Sequence, residues 1–172
     1  GDGADVIDIG GESTRAGYTK ISDDEETGRV VPVIEAVKKE FGIPISVDTY
    51  KSGVAEAAAQ AGADLINDIW GLKYDPHMSE VIAKSGLACC LMHNRDNTEY
   101  RNFMEDVKQD LRETIALAKA AGIADDKIIL DPGVGFAKSY ENNLEVIRRL
   151  KEFNELKYPV LLGTSRKSVI GL

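Results

Sequence analysis

A repeated alternation of short apolar segments with helical segments constrains the fold of this chain more than any other feature. The β-rich segments lie at 6–9, 43–48, 65–69, 87–92, 128–130 and 160–162, and a helical pattern follows each one. Short strands that are almost wholly apolar and are separated by helices are typical of a parallel sheet covered by helices. Consecutive units of this kind, without a GxGxxG turn, favour a (β/α)8 barrel over a dinucleotide-binding sheet.

The predicted fold class is therefore α/β, a (β/α)8 TIM barrel. A complete barrel has eight units in about 250 residues, whereas these 172 residues supply about six consecutive units. No Met begins the chain, the first strand comes within a few residues, and the last helix has only begun when the chain ends. We therefore expect residues 1–172 to form a single barrel domain that is truncated at both ends, with the first and last units missing.

Helix boundaries are predicted from residues that satisfy free backbone groups. Ser22 begins a Ser-Asp-Asp-Glu capping box, and Ser139 is a second candidate N-cap. Asp75 is followed by Pro76, which predicts a helix with Asp75 as its N-cap and proline in its first turn. Each of these signals follows a predicted strand and its loop, as the barrel interpretation requires.

Composition excludes several classes of partner. The chain is 43% hydrophobic and 29% charged, and its formal net charge is -8, so we expect neither a nucleic-acid partner nor a membrane partner. No apolar run approaches the length that spans a bilayer. Cys89 and Cys90 are adjacent in one predicted strand and point to opposite faces, which suits neither a disulfide nor a shared metal. They are interpreted as buried thiols of a cytoplasmic protein.

Polar side chains stand at the carboxyl ends of successive predicted strands, where parallel sheets gather their active sites. Because side chains alternate along a strand, Asp48, Asn67, Met92 and Asp131 are expected to line the barrel interior at one depth. Two carboxylates, an amide and a thioether suit a flat heterocycle that carries several N–H donors. A single such residue could equally be a polar group of the core, but four on different strands favour a binding site.

Two loops add hydroxyl groups and positive charge. Residues 163–168 read Gly-Thr-Ser-Arg-Lys-Ser, and residues 10–15 read Gly-Gly-Glu-Ser-Thr-Arg. Both suit an anionic group, with a solvated basic turn as the alternative for the first. His93 ends a predicted strand, but no His or Cys stands at ligand spacing from it, so a metal role is not predicted.

Six segments of the chain resemble the dihydropteroate synthases, a pterin-binding family, in the same order and at similar spacing. These segments are 8–15, 46–49, 66–68, 91–93, 131–136 and 163–168. The resemblance covers essentially the whole chain and looks closest to the Gram-positive bacterial enzymes. It implies a TIM-barrel transferase of folate biosynthesis that joins 6-hydroxymethyl-7,8-dihydropterin pyrophosphate to p-aminobenzoate and releases pyrophosphate. It also implies Mg2+ as a helper ion, sulfonamides as inhibitors, and a homodimer when complete.

The resemblance assigns roles to individual residues. The implied pterin contacts are Asp48, Asn67, Asp131 and Lys167, with Ile69, Met92, Phe136 and Gly163 lining the pocket. The positions implied around p-aminobenzoate are Thr14, Arg15, Lys167 and Ser168. The predicted catalytic residues are Asp48, Asp131 and Lys167. The two carboxylates can stabilise the cationic pterin methylene that remains when pyrophosphate departs, so no protein nucleophile is required.

The chain departs from the family pattern in two places. Ala16 stands where the family usually has proline, which removes a rigid ring from the loop. The family's Mg2+-binding Asn and its pyrophosphate-binding Arg-x-His have no counterpart in these residues. No metal ligand is therefore predicted in this segment, and the Mg2+ ligand is expected in the missing first strand.

Two other functions remain open at this stage. One is a different pterin-binding barrel, such as a methyltetrahydrofolate methyltransferase, although the 10–15 and 163–168 segments suit the substrates of the synthase better. The other is a non-catalytic pterin-binding fragment, which would follow if these residues were the entire polypeptide.

Overall fold

A computed structural model describes residues 3–14 and 18–170 of the chain. Five strands form one sheet in chain order: β1 (Ile7–Gly10), β2 (Ile45–Asp48), β3 (Leu65–Asp68), β4 (Ala88–Met92) and β5 (Ile128–Asp131). Every strand pairs in parallel with the next one along the chain. A doubly wound sheet reverses its strand order at a switch point, whereas a barrel keeps chain order throughout. The sequential order confirms the predicted α/β barrel architecture.

Helices connect the strands and cover one face of the sheet. They are α1 (Asp23–Glu40), α2 (Ser52–Ala61), α3 (Met78–Ser85), α4 (Phe103–Ala120) and α5 (Tyr140–Arg148), together with short 3₁₀ segments at Asp125–Lys127 and Leu150–Leu156. The predicted caps at Ser22 and Ser139 are confirmed, because their side chains accept hydrogen bonds from the backbone N–H of Glu25 and Asn142. None of the helices in the described ranges is long and apolar enough to cross a lipid bilayer.

The prediction that Asp75 caps the third helix is wrong. Helix α3 begins at Met78, after His77. One carboxylate oxygen of Asp75 accepts from the backbone N–H of His77 at 2.9 Å, and the other accepts from that of Ser52, the first residue of α2, at 2.7 Å. Lys51, the N-cap of α2, makes no capping side-chain hydrogen bond. Asp75 therefore satisfies one free donor at the start of each of two helices, without being the N-cap of either.

The predicted sixth strand at 160–162 is reduced to a single bridge between Leu130 and Val160. The Leu130 N–H donates to the Pro159 carbonyl, and the Leu161 N–H donates to the Leu130 carbonyl. The next donor of this parallel ladder would be residue 132, which is a proline and has no N–H. The pairing therefore stops after one step.

The hydrophobic core lies between the sheet and the helices. Strand residues that point toward the helices, such as Ile9, Val47, Ile66 and Leu91, are buried against side chains of the helices. The other face of the sheet carries a second, smaller apolar cluster and the polar strand ends. Cys89 and Cys90 are both buried and unpaired with each other, as the sequence predicts.

Candidate active site

The strand register brings the predicted interior residues to one face in two adjacent pairs. Asp48 lies opposite Asn67, and Met92 lies opposite Asp131. Between these pairs, Asn67 lies opposite Cys90, so the second pair stands two residues further along the sheet. A step of two keeps all four side chains on one face. The sequence predicted a common depth for all four residues, whereas the structure places Asp48 and Asn67 at one level and Met92 and Asp131 at another. The register between strands, which a sequence alone does not give, causes the difference.

Asp48 presents a buried acceptor without a donor. Its Oδ1 is buried and has no hydrogen-bond partner within the described part of the chain. Burial, together with the negative charges of Asp8, Glu26 and Asp68, raises the pKa of Asp48 to about 7. A methyl group added to Gly10 would lie 3.5 Å from Asp48 Cβ, so the neighbouring strand packs closely against it. An isolated buried acceptor costs free energy, and a ligand with an N–H donor would remove that cost.

Asp131, Gly163 and Lys167 lie close together at the end of β5. The Asp131 side chain is buried, and its Oδ1 accepts a hydrogen bond of 2.7 Å from the Gly133 N–H. Burial raises the pKa of Asp131, against the opposing effects of that hydrogen bond and of nearby lysines. A methyl group on Gly163 would lie 3.7 Å from Asp131 Oδ2 and 3.9 Å from Lys167 Nζ. Glycine at this position therefore leaves space between the carboxylate and the amine.

Lys167 contacts the loop that follows β5. Its Nζ donates to the Val134 carbonyl and lies 4.7 Å from the centre of the Phe136 ring, a cation–π geometry. Burial lowers the pKa of Lys167, and the negative charge of Asp131 opposes that effect. The amine is thus partly removed from water and held beside both an aromatic ring and a carboxylate.

The predicted apolar lining forms one cluster. Ile69 and Met92 are buried together with Tyr50, and Phe136 and Trp70 pack against them. The sequence analysis did not identify Tyr50 or Trp70. Tyr50 follows Asp48 by two residues, so the alternation that selected Asp48 was the signal that could have found it.

Three of the four residues predicted around p-aminobenzoate border one cavity. This cavity has a volume of about 640 Å³ and is lined by Thr14, Phe136, Lys167 and Ser168, among others. Arg15, the fourth predicted residue, and Ala16 lie outside the described residues. The cavity shares Phe136 and Lys167 with the predicted pterin pocket, so the two predicted subsites are contiguous.

A buried ionic network, not anticipated from the sequence, closes the base of the loop that carries Thr14. Lys51 Nζ lies 2.8 Å from Glu12 Oε2 and 2.7 Å from Glu26 Oε2, and it donates to the Ile21 carbonyl at 2.8 Å. Glu12 also accepts from the Ile21 N–H and from the Tyr50 hydroxyl. Both ends of the 12–21 segment are therefore attached to the end of β2. The contacts join residues far apart in sequence, which is why no local motif indicated them.

Within the described ranges, 3–14 and 18–170, no cluster of three or more His, Cys, Asp or Glu side chains could hold a metal ion. The described residues therefore do not fit an all-protein Mg2+ site.

Comparison with known sequences identifies close relatives. A dihydropteroate synthase of Clostridium beijerinckii is 62% identical, over 99% of this chain and 63% of its own length. The Bacillus subtilis dihydropteroate synthase is 55% identical, over 99% of this chain and 60% of its own length. The chain thus spans less than two thirds of the length of these relatives.

Solved structures of similar proteins have the same fold. A dihydropteroate synthase of Clostridium difficile, solved in the presence of pteroic acid, superposes with a TM-score of 0.96 at 53% identity, covering 98% of this chain and 65% of that one. The Xanthomonas albilineans enzyme with 4-aminobenzoic acid has a TM-score of 0.94 at 42% identity, over 98% and 62%. A Yersinia pestis enzyme with a sulfonamide drug complex has a TM-score of 0.94 at 43% identity, over 98% and 64%.

Comparison with protein families identifies the same kind of enzyme. The model for pterin binding enzymes matches residues 1–172. The matched range includes the strand-end residues Asp48, Asn67 and Asp131. The chain belongs to the family of pterin-binding enzymes.

Proposed function

We propose that this chain carries the pterin-binding and p-aminobenzoate-binding part of a dihydropteroate synthase. The observation that carries the proposal is the buried Asp48 Oδ1 without a donor, on the same face as Asn67 and Asp131. A pterin ring presents several N–H donors along one edge, which suit two carboxylates and an amide. The named relatives and the family match support the same substrate class.

The reaction we propose needs no protein nucleophile. The bond between the pterin methylene carbon and the pyrophosphate oxygen breaks, and the electron pair leaves with pyrophosphate. The carbon becomes cationic, and the carboxylates of Asp48 and Asp131 stabilise that charge in a site shielded from water. The amine nitrogen of p-aminobenzoate then forms the new bond to this carbon and releases one proton.

The second substrate is proposed to occupy the cavity beside Phe136 and Lys167. Lys167 borders both subsites, so it can orient p-aminobenzoate toward the pterin methylene. Ser168 and Thr14 place hydroxyl groups at the same cavity, and Arg15 is proposed to contribute from the adjoining loop. Sulfonamides, which resemble p-aminobenzoate in shape, are proposed as inhibitors at this subsite.

Three further properties are proposed on the family resemblance alone. They are Mg2+ as a helper ion, a homodimeric assembly and a cytoplasmic location. None of the residue roles above depends on Mg2+.

The proposal is tested with Asp131→Asn in the full-length protein. The amide oxygen can still accept from the Gly133 N–H, so the turn is retained while one carboxylate acceptor and its charge are lost. We expect pterin affinity, measured by calorimetry, to fall by roughly 1–3 kcal/mol. Asp126→Asn is the matched control, because Asp126 is exposed in the 3₁₀ segment that precedes β5, at the opposite end of the strand from Asp131. The pterin affinity of this variant should equal that of wild type.

The activity itself is measured with both substrates and Mg2+ in the wild-type full-length protein. Formation of dihydropteroate is expected. Pterin binding without condensation would contradict the proposed function and favour a non-catalytic binding protein or a pterin-dependent methyltransferase. Unchanged pterin affinity in Asp131→Asn would remove Asp131 from the site.

A further inference from the structure

We propose that Lys138 and His93 form a positioning pair that holds residues 132–138 so that Val134 and Phe136 meet Lys167. The inference rests on the proposed function, because it assigns the pair a role in shaping the p-aminobenzoate subsite. Neither residue is among the site residues predicted from the sequence.

The pair lies within a chain of hydrogen bonds between the ends of β4 and β5. Lys138 Nζ is 2.8 Å from His93 Nδ1 and donates to the Phe136 carbonyl at 3.0 Å. The His93 side chain is completely buried, and its Nε2 is 2.9 Å from Asp110 Oδ2. The same oxygen accepts from Arg95 Nε at 2.6 Å. Four side chains thus connect α4 and the end of β4 to the loop after β5.

The two hydrogen-bond partners of His93 determine which of its ring nitrogens carries the hydrogen. A lysine side chain with hydrogens to donate requires Nδ1 to be the acceptor, and the Asp110 carboxylate requires Nε2 to carry the hydrogen. The geometry therefore selects the neutral Nε2–H tautomer of His93. Burial lowers the pKa of His93 to about 4, although the hydrogen bond to Asp110 opposes the shift. Burial also lowers the pKa of Lys138 to about 7.

Residues 132–138 contact the end of β4 on one side and Lys167 on the other. On the side of β4, Gly133 approaches the His93 backbone so closely that an added methyl group would lie 2.1 Å from the His93 carbonyl oxygen. On the other side, the Val134 carbonyl accepts from Lys167, and the Phe136 ring lies beneath the same amine. Lys138 binds the carbonyl of Phe136 itself. Loss of Lys138 therefore frees the peptide that sets the position of this ring.

The kinetic test compares Lys138→Met with Lys108→Met in the full-length protein. Lys108 is the matched control because its side chain is only 4% exposed and pairs with Glu105 within α4 and with Glu155 in the segment Leu150–Leu156. Both variants lose a buried lysine, so both should melt at a lower temperature than wild type. We expect Lys138→Met to raise the KM for p-aminobenzoate about fivefold or more, with a smaller change in kcat. Lys108→Met should leave that KM within about twofold of wild type.

A spectroscopic test examines the pair without any activity measurement. Nitrogen-15 NMR of the histidine rings in wild-type protein at pH 7, with His93 assigned from a His93→Gln variant, should show the Nε2–H tautomer. An Nδ1–H tautomer or an imidazolium would overturn the proposal, even if Lys138→Met fails to fold. An unchanged KM in a folded Lys138→Met variant would also overturn it. Absence of dihydropteroate formation by wild type would instead reject the proposed function, and the tautomer would still decide whether the pair exists.

Discussion

At the scale of single residues, the site depends on carboxylates that the fold keeps out of water. Asp48 has no partner for its Oδ1 in the described part of the chain, and other carboxylates lie nearby. Both effects favour the neutral acid in the folded protein. A ligand with an N–H donor favours the carboxylate instead. The unliganded protein is therefore less stable than it would be without this unpaired buried group, and ligand binding removes that cost. This is the usual exchange between stability and function at a binding site.

Asp48→Asn should therefore stabilise the unliganded protein while it weakens pterin binding. The pKa of Asp48 rises from its ordinary 3.8 to about 7 on folding, so the folded state holds a proton that the unfolded state releases. The resulting loss of stability begins above about pH 4 and is complete above about pH 7. Thermal unfolding should show the variant gaining roughly 1–3 kcal/mol more at pH 8 than at pH 5. An equal gain at both pH values would show that Asp48 is not the titrating group.

At the scale of elements, the turn after β5 shapes both predicted subsites. Gly133 has a φ of +74° and packs against the backbone of His93. Its N–H is bound by Asp131, and the residues that follow it present Val134 and Phe136 to Lys167. Only glycine combines the positive φ with so close a backbone contact.

Gly133→Ala should lower the free energy of unfolding by roughly 3 kcal/mol or more, because the added methyl group meets the His93 carbonyl oxygen and the backbone must shift. Gly28→Ala is the control: Gly28 lies within α1, and a methyl group there has no neighbour within 4 Å. That change should stabilise the protein by about 0.5–1 kcal/mol. Urea unfolding of both variants measures the difference. A Gly133→Ala protein as stable as wild type would mean that this turn is not held against β4.

At the scale of the whole molecule, the sheet has two incompletely paired edges. Within the described residues, β1 pairs only with β2, and β5 has a single bridge on its outer side. Unpaired edges of a parallel sheet offer free N–H and carbonyl groups to other chains, and barrels avoid this exposure by closing. Phe41, Leu161 and Ile170 add exposed apolar surface.

Residues 1–172, produced as a separate polypeptide, should therefore associate in a concentration-dependent way and form no dihydropteroate with Mg2+ and both substrates. Light scattering coupled to size-exclusion chromatography measures the association, and product formation is assayed in parallel. A monodisperse, cooperatively melting 172-residue protein that makes dihydropteroate would contradict the expectation and would require the strand pairing or the residue assignments to be revised.

The local sequence was sufficient for the features that depend on near neighbours. The alternation of strands and helices, the caps at Ser22 and Ser139, and the shared face of Asp48, Asn67, Met92 and Asp131 all follow from periodicities of a few residues. The family resemblance supplied the roles of Phe136, Gly163, Lys167 and the hydroxyl-bearing loops, and those roles remain predictions.

Only the tertiary structure decided the features that join distant segments. The two-residue step between β3 and β4 depends on the register of these strands. The pairing at Val160 stops after one bridge because Pro132 stands where the next N–H donor would be. The contact of Asp75 with α2 and the networks around Lys51 and Lys138 depend on charged side chains reaching across elements. Such pairings are selected by burial and by the need to satisfy every buried charge, and these requirements act on positions in space that a linear sequence does not contain.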